Sequence, residues 1–175
     1  MLCDIAIGAN RTKQCDNTQG GLEVFYPFNF IKDAFTVTAG VATAMSVDLT
    51  VAYKYFIKGD GNTFTDSKNT DSKVGTTVVT QTIVNQLIKV DGATSDELSK
   101  LAEGQISGVL VDRNGTAFWV GHESGFNVTS TVEAVSGGAK ADFNGYNVTL
   151  VAENKTFAPT LDSATLTAFL AIVTA

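Results

Sequence analysis

Apolar and polar residues alternate with a period of two over several short stretches of the chain, so most predicted elements are strands. Leu22, Val24 and Tyr26 alternate with Glu23 and Phe25, which starts one strand, and Pro27, with no amide hydrogen to donate, marks an edge or a bend. A second strand centres on Phe35-Thr-Val-Thr and is closed by Gly40, with a short segment over 41–46 behind it. Over 47–58, Leu49, Val51, Tyr53 and Tyr55 fall on one face and Asp48, Thr50, Ala52 and Lys54 on the other, which predicts a long strand. Thr76 to Asp91 is a second long β run. Between them, 59–75 is polar and punctuated by glycine and predicts a long loop. Loops above about 12–15 residues are usually functional or disordered. On pattern alone an ordinary flexible hairpin explains it equally well.

Asp91-Gly92 ends that run, and Thr94-Ser-Asp-Glu97 has the form of a capping box. It predicts a helix over 95–103 that buries Leu98, Leu101 and Ala102, with Gly104 just past its end. Further strands are expected near 106–112, 116–120, 126–134 and 146–152, with a turn-like linker over 136–142. Asn114-Gly115 joins the first two of these and predicts a type I′ hairpin turn, with both residues at positive φ. A second pair, Asn144-Gly145, precedes the last strand. Each pair ends an Asp-x-Asn-Gly run, a likeness too short to establish a repeat. After Pro159, residues 161–173 read as a short helical turn into a final strand, and periodicity does not decide between helix and strand there.

Composition places these elements in one domain spanning 1–175. The chain is 44% hydrophobic, enough for a sizeable core, and only 17% charged where about 25% is usual. Thr, Ser, Asn and Gly take the place of charge, which suits either a Thr-rich β-sandwich monomer or a protein that makes large contacts. The net charge of −6 argues against a nucleic-acid-binding module but not against a surface that DNA slides past. Two cysteines, Cys3 and Cys15, do not make a disulfide framework, and whether they pair is open. The N-terminal residues lack the basic region of a signal peptide, and no run approaches the roughly 18 apolar residues of a membrane span. Synthesis in a cytoplasm is expected, and the five Asn-X-Ser/Thr sequons at Asn10, Asn114, Asn127, Asn147 and Asn154 read as a by-product of composition.

The chemistry is sparse. His122 is the sole histidine and is too isolated for a metal site, so a loop residue is the better reading than a base. Asp112-Arg-Asn-Gly and Asp60-Gly-Asn lack the continuation of a calcium loop. No phosphate loop, dinucleotide fingerprint or nucleophile elbow occurs. No catalytic residue, cofactor site or metal site is expected, although a site built from distant carboxylates stays open.

Three runs carry a resemblance: Ile106-Ser-Gly-Val-Leu-Val-Asp-Arg-Asn-Gly-Thr-Ala-Phe-Trp-Val-Gly, Ser124-Gly-Phe-Asn-Val-Thr-Ser, and Asp142-Phe-Asn-Gly-Tyr-Asn-Val-Thr-Leu-Val-Ala-Glu-Asn. They resemble structural proteins of tailed bacteriophages, particularly those infecting Bacteroidetes, and the layout is most similar to tail tube subunits. The resemblance implies a mainly β fold with one helix, of the sandwich or small-barrel tail-tube type. It implies a virion protein whose copies form hexameric rings that stack into a conduit for DNA. Partners would be other copies and other virion proteins, with DNA passing unbound. The long loop, with Asp60, Asn62, Phe64, Asp66, Lys68, Asp71 and Lys73, and the segment 1–21 would bridge stacked rings, and the loop would gain order on assembly. The alternatives are a capsid decoration or head–tail connector protein, a carbohydrate-binding β-sandwich module and, last, a small hydrolase.

Overall fold

The computed structural model describes residues 11, 17–57 and 59–174. Cys3, Cys15 and most of the expected bridging segment 1–21 therefore lie outside the described residues. The elements in chain order are β1 (Leu22–Asn29), β2 (Phe35–Thr38), β3 (Val41–Met45), β4 (Ala52–Tyr53), β5 (Tyr55–Phe56), β6 (Thr63–Asp71) and β7 (Thr76–Ile88). Then come α1 (Gly92–Glu103), β8 (Ile106–Asp112), β9 (Ala117–Val120), β10 (Thr129–Val135), β11 (Gly145–Asn154), β12 (Thr160–Leu161), α2 (Ser163–Leu170) and β13 (Val173–Thr174). Seven strands form one sheet in the order β2-β3-β12-β9-β8-β1-β5, four form a second in the order β10-β11-β7-β6, and β13 pairs with β4 alone. The described residues are mainly β with two helices, one more than expected, and none of these sheets closes into a barrel.

The seven-stranded sheet is buried on both faces at its centre. Phe25, Ile106, Leu110 and Val120 point into a core shared with Ile83, Val148 and Leu150 of the four-stranded sheet and with Leu98 and Leu101 of α1. Val24, Tyr26, Phe28, Val109 and Trp119 point the other way, into a second core closed by Leu49, Phe35 and Phe169 of α2. Double burial explains why β1 reads as a nearly unbroken apolar run. Pro27 is tolerated because β5 pairs only with Val24 and Phe25, so that side of β1 is open at Pro27. The Trp119 indole N–H donates to Ser107 Oγ at 3.0 Å, and that hydroxyl donates to the Val120 carbonyl at 2.8 Å. A buried aromatic thus has its polar atom satisfied inside the sheet.

Four expectations change. The long strand over 47–58 is mostly irregular and keeps only the short pairings of β4 and β5. The residues that turn inward are Leu49, Ala52 and Ile57, a spacing no flat strand can present, while Tyr53 and Phe56 are exposed. The loop over 59–75 is instead a hairpin: Thr63 to Asp71 pairs in register with Val84 to Thr76, and only a short turn separates the strands. Its β-branched threonines suit a strand, but Phe64 is the one apolar side chain facing inward, so the hydrophobic signal was absent. The helix α1 begins at Gly92, because the carboxylate of Asp91, not the Thr94 hydroxyl, caps it; Asp91 accepts from the Thr94 amide at 2.9 Å and from its hydroxyl at 2.7 Å.

The fourth change concerns the turn after β8. Gly115 has φ +79° but Asn114 does not adopt positive φ. The Gly115 amide donates to the Asp112 carbonyl at 3.0 Å, and the Asp112 amide donates to the Thr116 carbonyl at 3.0 Å. This is a three-residue connection, a type I turn followed by a left-handed glycine. Asp112 Oδ1 fixes it by accepting from the amides of Asn114 and Thr116. The two-residue turn with both φ positive occurs elsewhere, at Ala39 (φ 51°) and Gly40 (φ 81°) between β2 and β3. Asn144-Gly145 makes no hairpin turn; Gly145 opens β11, where a Cβ would overlap the Leu87 carbonyl oxygen of β7.

Candidate subunit interface

The four-stranded sheet carries nearly all the residues singled out from the sequence. Asp60, Asn62, Phe64, Asp66, Lys68, Asp71 and Lys73 lie on or beside β6, but they do not gather into one surface. Asp60 is exposed and holds the Arg113 guanidinium at 3.0 Å. Asn62 is buried; its Oδ1 accepts from the Gln86 amide at 2.7 Å and its Nδ2 donates to the Gly59 carbonyl. Phe64 packs on Phe118 across the space between the sheets, with ring centroids 5.8 Å apart. Lys68 and Lys73 are exposed, and Asp71 braces the turn by accepting from the amides of Lys73 and Val74.

Asp66 belongs to a polar seam at one end of the sheet, which sequence reasoning missed. Its Oδ2 accepts from the Ala158 amide at 2.6 Å and from Gln81 Nε2 at 3.4 Å, while Gln81 Oε1 accepts from the Gly121 amide at 2.9 Å. His122 follows, with Nε2 3.0 Å from the Thr156 hydroxyl and 3.8 Å from a Glu123 carboxylate oxygen. Glu123 accepts from the Lys155 amide, and its own amide donates to Asn154 Oδ1. Burial pushes the Asp66 carboxyl above the usual carboxylate range, opposed by the Ala158 amide, Gln81 and His122. Burial pulls His122 below its ordinary value, opposed by Glu123 and Asp66. His122 Nδ1, the atom a catalytic carboxylate would orient, has no partner, and Glu123 approaches the same nitrogen as Thr156. The seam therefore ties β6, β7 and the loops after β9 and β11 together without forming a proton relay. The only sequence trace of it is that Gln81 and Asn85 interrupt the inward apolar positions Val79 and Ile83. Among the described residues, no three His, Cys, Asp or Glu side chains gather to hold a metal, and no helix is long and apolar enough to cross a membrane.

Among the described residues, no core packs against the opposite face of this sheet. Its register aligns Thr63, Val84, Thr149 and Thr131 in one row and Thr65, Thr82, Val151 and Thr129 in the next. Charged residues in the paired positions of this face are Asp71, Glu133 and Glu153, all acidic. Among the described residues, neither lateral edge, β6 on one side and β10 on the other, has a partner strand, so rows of backbone donors and acceptors are open along each. The sheet can thus accept a further strand on either side while keeping a polar, non-basic face.

No family model matches the chain, and no curated protein or solved structure is similar enough to count as a match.

Proposed function

We propose that the protein is a structural subunit of a phage tail tube, with the four-stranded sheet as its assembling element. The observation that supports this is one sheet with two free edges and one uncovered, Thr-rich, acidic face. In this reading β6 of one copy pairs with β10 of the next, a heterologous contact that closes a ring when its rotation closes. Closure removes both edges of the four-stranded sheet, which is the general reason barrels resist uncontrolled aggregation. The uncovered face lines the lumen, and its acidic residues repel DNA phosphates so that DNA passes without sticking. The seven-stranded sheet and the helices form the outer wall. The protein acts without a cofactor, as a virion component assembled from copies made in the host cytoplasm.

The carbohydrate-binding alternative gains less support, because Trp119, the natural stacking residue, is 3% exposed. A decoration or connector protein would use the same edges without stacking. Negative-stain electron microscopy over a concentration series separates these readings. Stacked rings or tubes with a central hole are the expected result. Monomers at every concentration would overturn the reading, and isolated rings that never stack would favour the connector. Thr65→Lys combined with Thr131→Lys sets like charges on the joining strands and is expected to abolish rings while leaving the circular dichroism of the monomer unchanged.

A further inference from the structure

Aromatic side chains gather on the surface where β4 and β5 meet α1. Tyr53 and Phe56 are 48% and 62% exposed, and Tyr55 stands between them with its ring T-shaped to Phe25. The three rings wall two adjoining hollows. The larger, about 400 Å³, is otherwise closed mainly by Leu87, Ile88 and Leu98, and the smaller, about 90 Å³, runs past Tyr53 and Lys100. Tyr55 and Glu97 line both, so they mark where the hollows meet.

The charges of this cleft do not balance. Glu97 and Lys100 are the charged side chains that line it, and the Lys100 ammonium is 2.6 Å from an Asp96 carboxylate oxygen that lies outside both hollows. Among the described residues the Glu97 carboxylate makes no ion pair or hydrogen bond. Burial, then Glu97 and Tyr53, push the Tyr55 phenol up to about 12, so Tyr55 stays neutral within the field of Glu97. One carboxylate among aromatic rings attracts a cation twice, through its charge and through the negative faces of the rings. The walls do not suit a strongly hydrated cation, because a metal ion or a primary ammonium keeps its water unless several oxygens replace it. Besides Glu97, the side-chain oxygens lining the larger hollow are the hydroxyls of Tyr55 and Thr94, and Thr94 already donates to Asp91. A quaternary ammonium has no N–H to satisfy and suits aromatic walls.

We propose that this cleft binds a small quaternary-ammonium cation, its charged head beside Tyr53, Tyr55 and Glu97 and the rest of the molecule against Phe56, Ile88 and Leu98. The site needs no second copy and does not rest on the tube reading.

Choline is the probe, and the control is its neutral carbon isostere, in which a tert-butyl group replaces the trimethylammonium group. Ligand-detected saturation-transfer NMR reads both on monomeric or assembled protein. Choline is expected to bind saturably in the millimolar range, and the isostere about tenfold more weakly. Glu97→Gln should cost about tenfold in choline affinity and leave the isostere unchanged. Asp96→Asn frees Lys100 to turn toward Glu97 and compete with the ligand, so choline affinity should fall, and adding Lys100→Gln should restore it. No saturable choline binding, equal binding of the isostere, or an unchanged affinity in Glu97→Gln would overturn the site. Phosphatidylcholine vesicles separate the sources of the cation. Co-sedimentation of the parent but not of Glu97→Gln assigns it to a lipid headgroup, choline binding without co-sedimentation assigns it to a free solute, and either result supports the site.

Discussion

The two large sheets are built from similar residues and meet opposite fates. The centre of the seven-stranded sheet has a core on each face, so its strands read as continuous apolar runs and no side chain there is free to do anything but pack. The four-stranded sheet has a core on one face only, and its other face is threonine, valine and acid. The first sheet has open edges of its own at β2 and β5, but both faces of its centre are covered. Among the described residues the second also has two open edges, and it has in addition a face with no core against it.

The largest expected effect comes from the seven-stranded sheet. Phe25→Ala removes a buried ring that packs edge-on against Tyr55 and Phe126, and should cost about 3–5 kcal/mol in urea unfolding. Thr82→Val, on the uncovered face, should stay within about 0.5 kcal/mol of the parent. Comparable losses from the two would erase the distinction between the sheets.

Gly145→Ala strikes the joint of the second sheet, where the added methyl meets the Leu87 carbonyl across the ladder. A loss of about 1–3 kcal/mol is expected, as for overpacking. The damage should appear as faster amide exchange in β11 and β7 before it appears in β8. Uniform exchange across both sheets would show that they open as one unit.

The seam predicts a pH dependence with two opposed parts. The folded state holds His122 below its ordinary value of 6.5, so below that pH the unfolded chain takes up a proton that the folded chain resists. His122 therefore lowers stability as pH falls through that range. Asp66 is held above 3.8, so the folded state takes its proton first and recovers some stability as pH falls toward that value. Urea midpoints between about pH 7.5 and pH 5 should fall less for His122→Gln than for the parent, and as pH falls on toward 3.8 those of Asp66→Asn should fall more than the parent's. Parallel profiles for all three proteins would show that the seam does not titrate in this range.

The smallest effect tests a strained turn. Ala39 sits at φ 51° in the two-residue connection of β2 and β3, a conformation disfavoured for a side chain with a plain Cβ. Ala39→Asn should stabilise the protein by up to about 1 kcal/mol, read as a rise in melting temperature. A fall would mean that the turn is not the limiting strain in that hairpin.

Much of this architecture was legible along the chain. The strands β1, β2, β8, β9 and β11 follow from alternation or from apolar runs, and Leu98 and Leu101 from the helical spacing of α1. These signals are local, because each residue's burial depends on its own neighbours in sequence. What was not legible depended on distant partners. The strand β6 has almost no apolar signal, because its ladder is completed by β7 and its inward Asp66 is held through Oδ2 by Gln81 and the Ala158 amide. The segment 47–58 has a strong alternation and is not a long strand, because Leu49 and Ala52 are drawn into the second core. His122 gained its surroundings in the same way, from β6 and from the loop after β11. The sequence by itself determined a β-rich domain, its hairpin between β8 and β9 and its first helix, since turn chemistry and periodicity act over a few residues. Only the tertiary structure decided which polar strands pair, which sheet face stays bare and which edges stay open, because those are properties of the layers around a strand rather than of the strand.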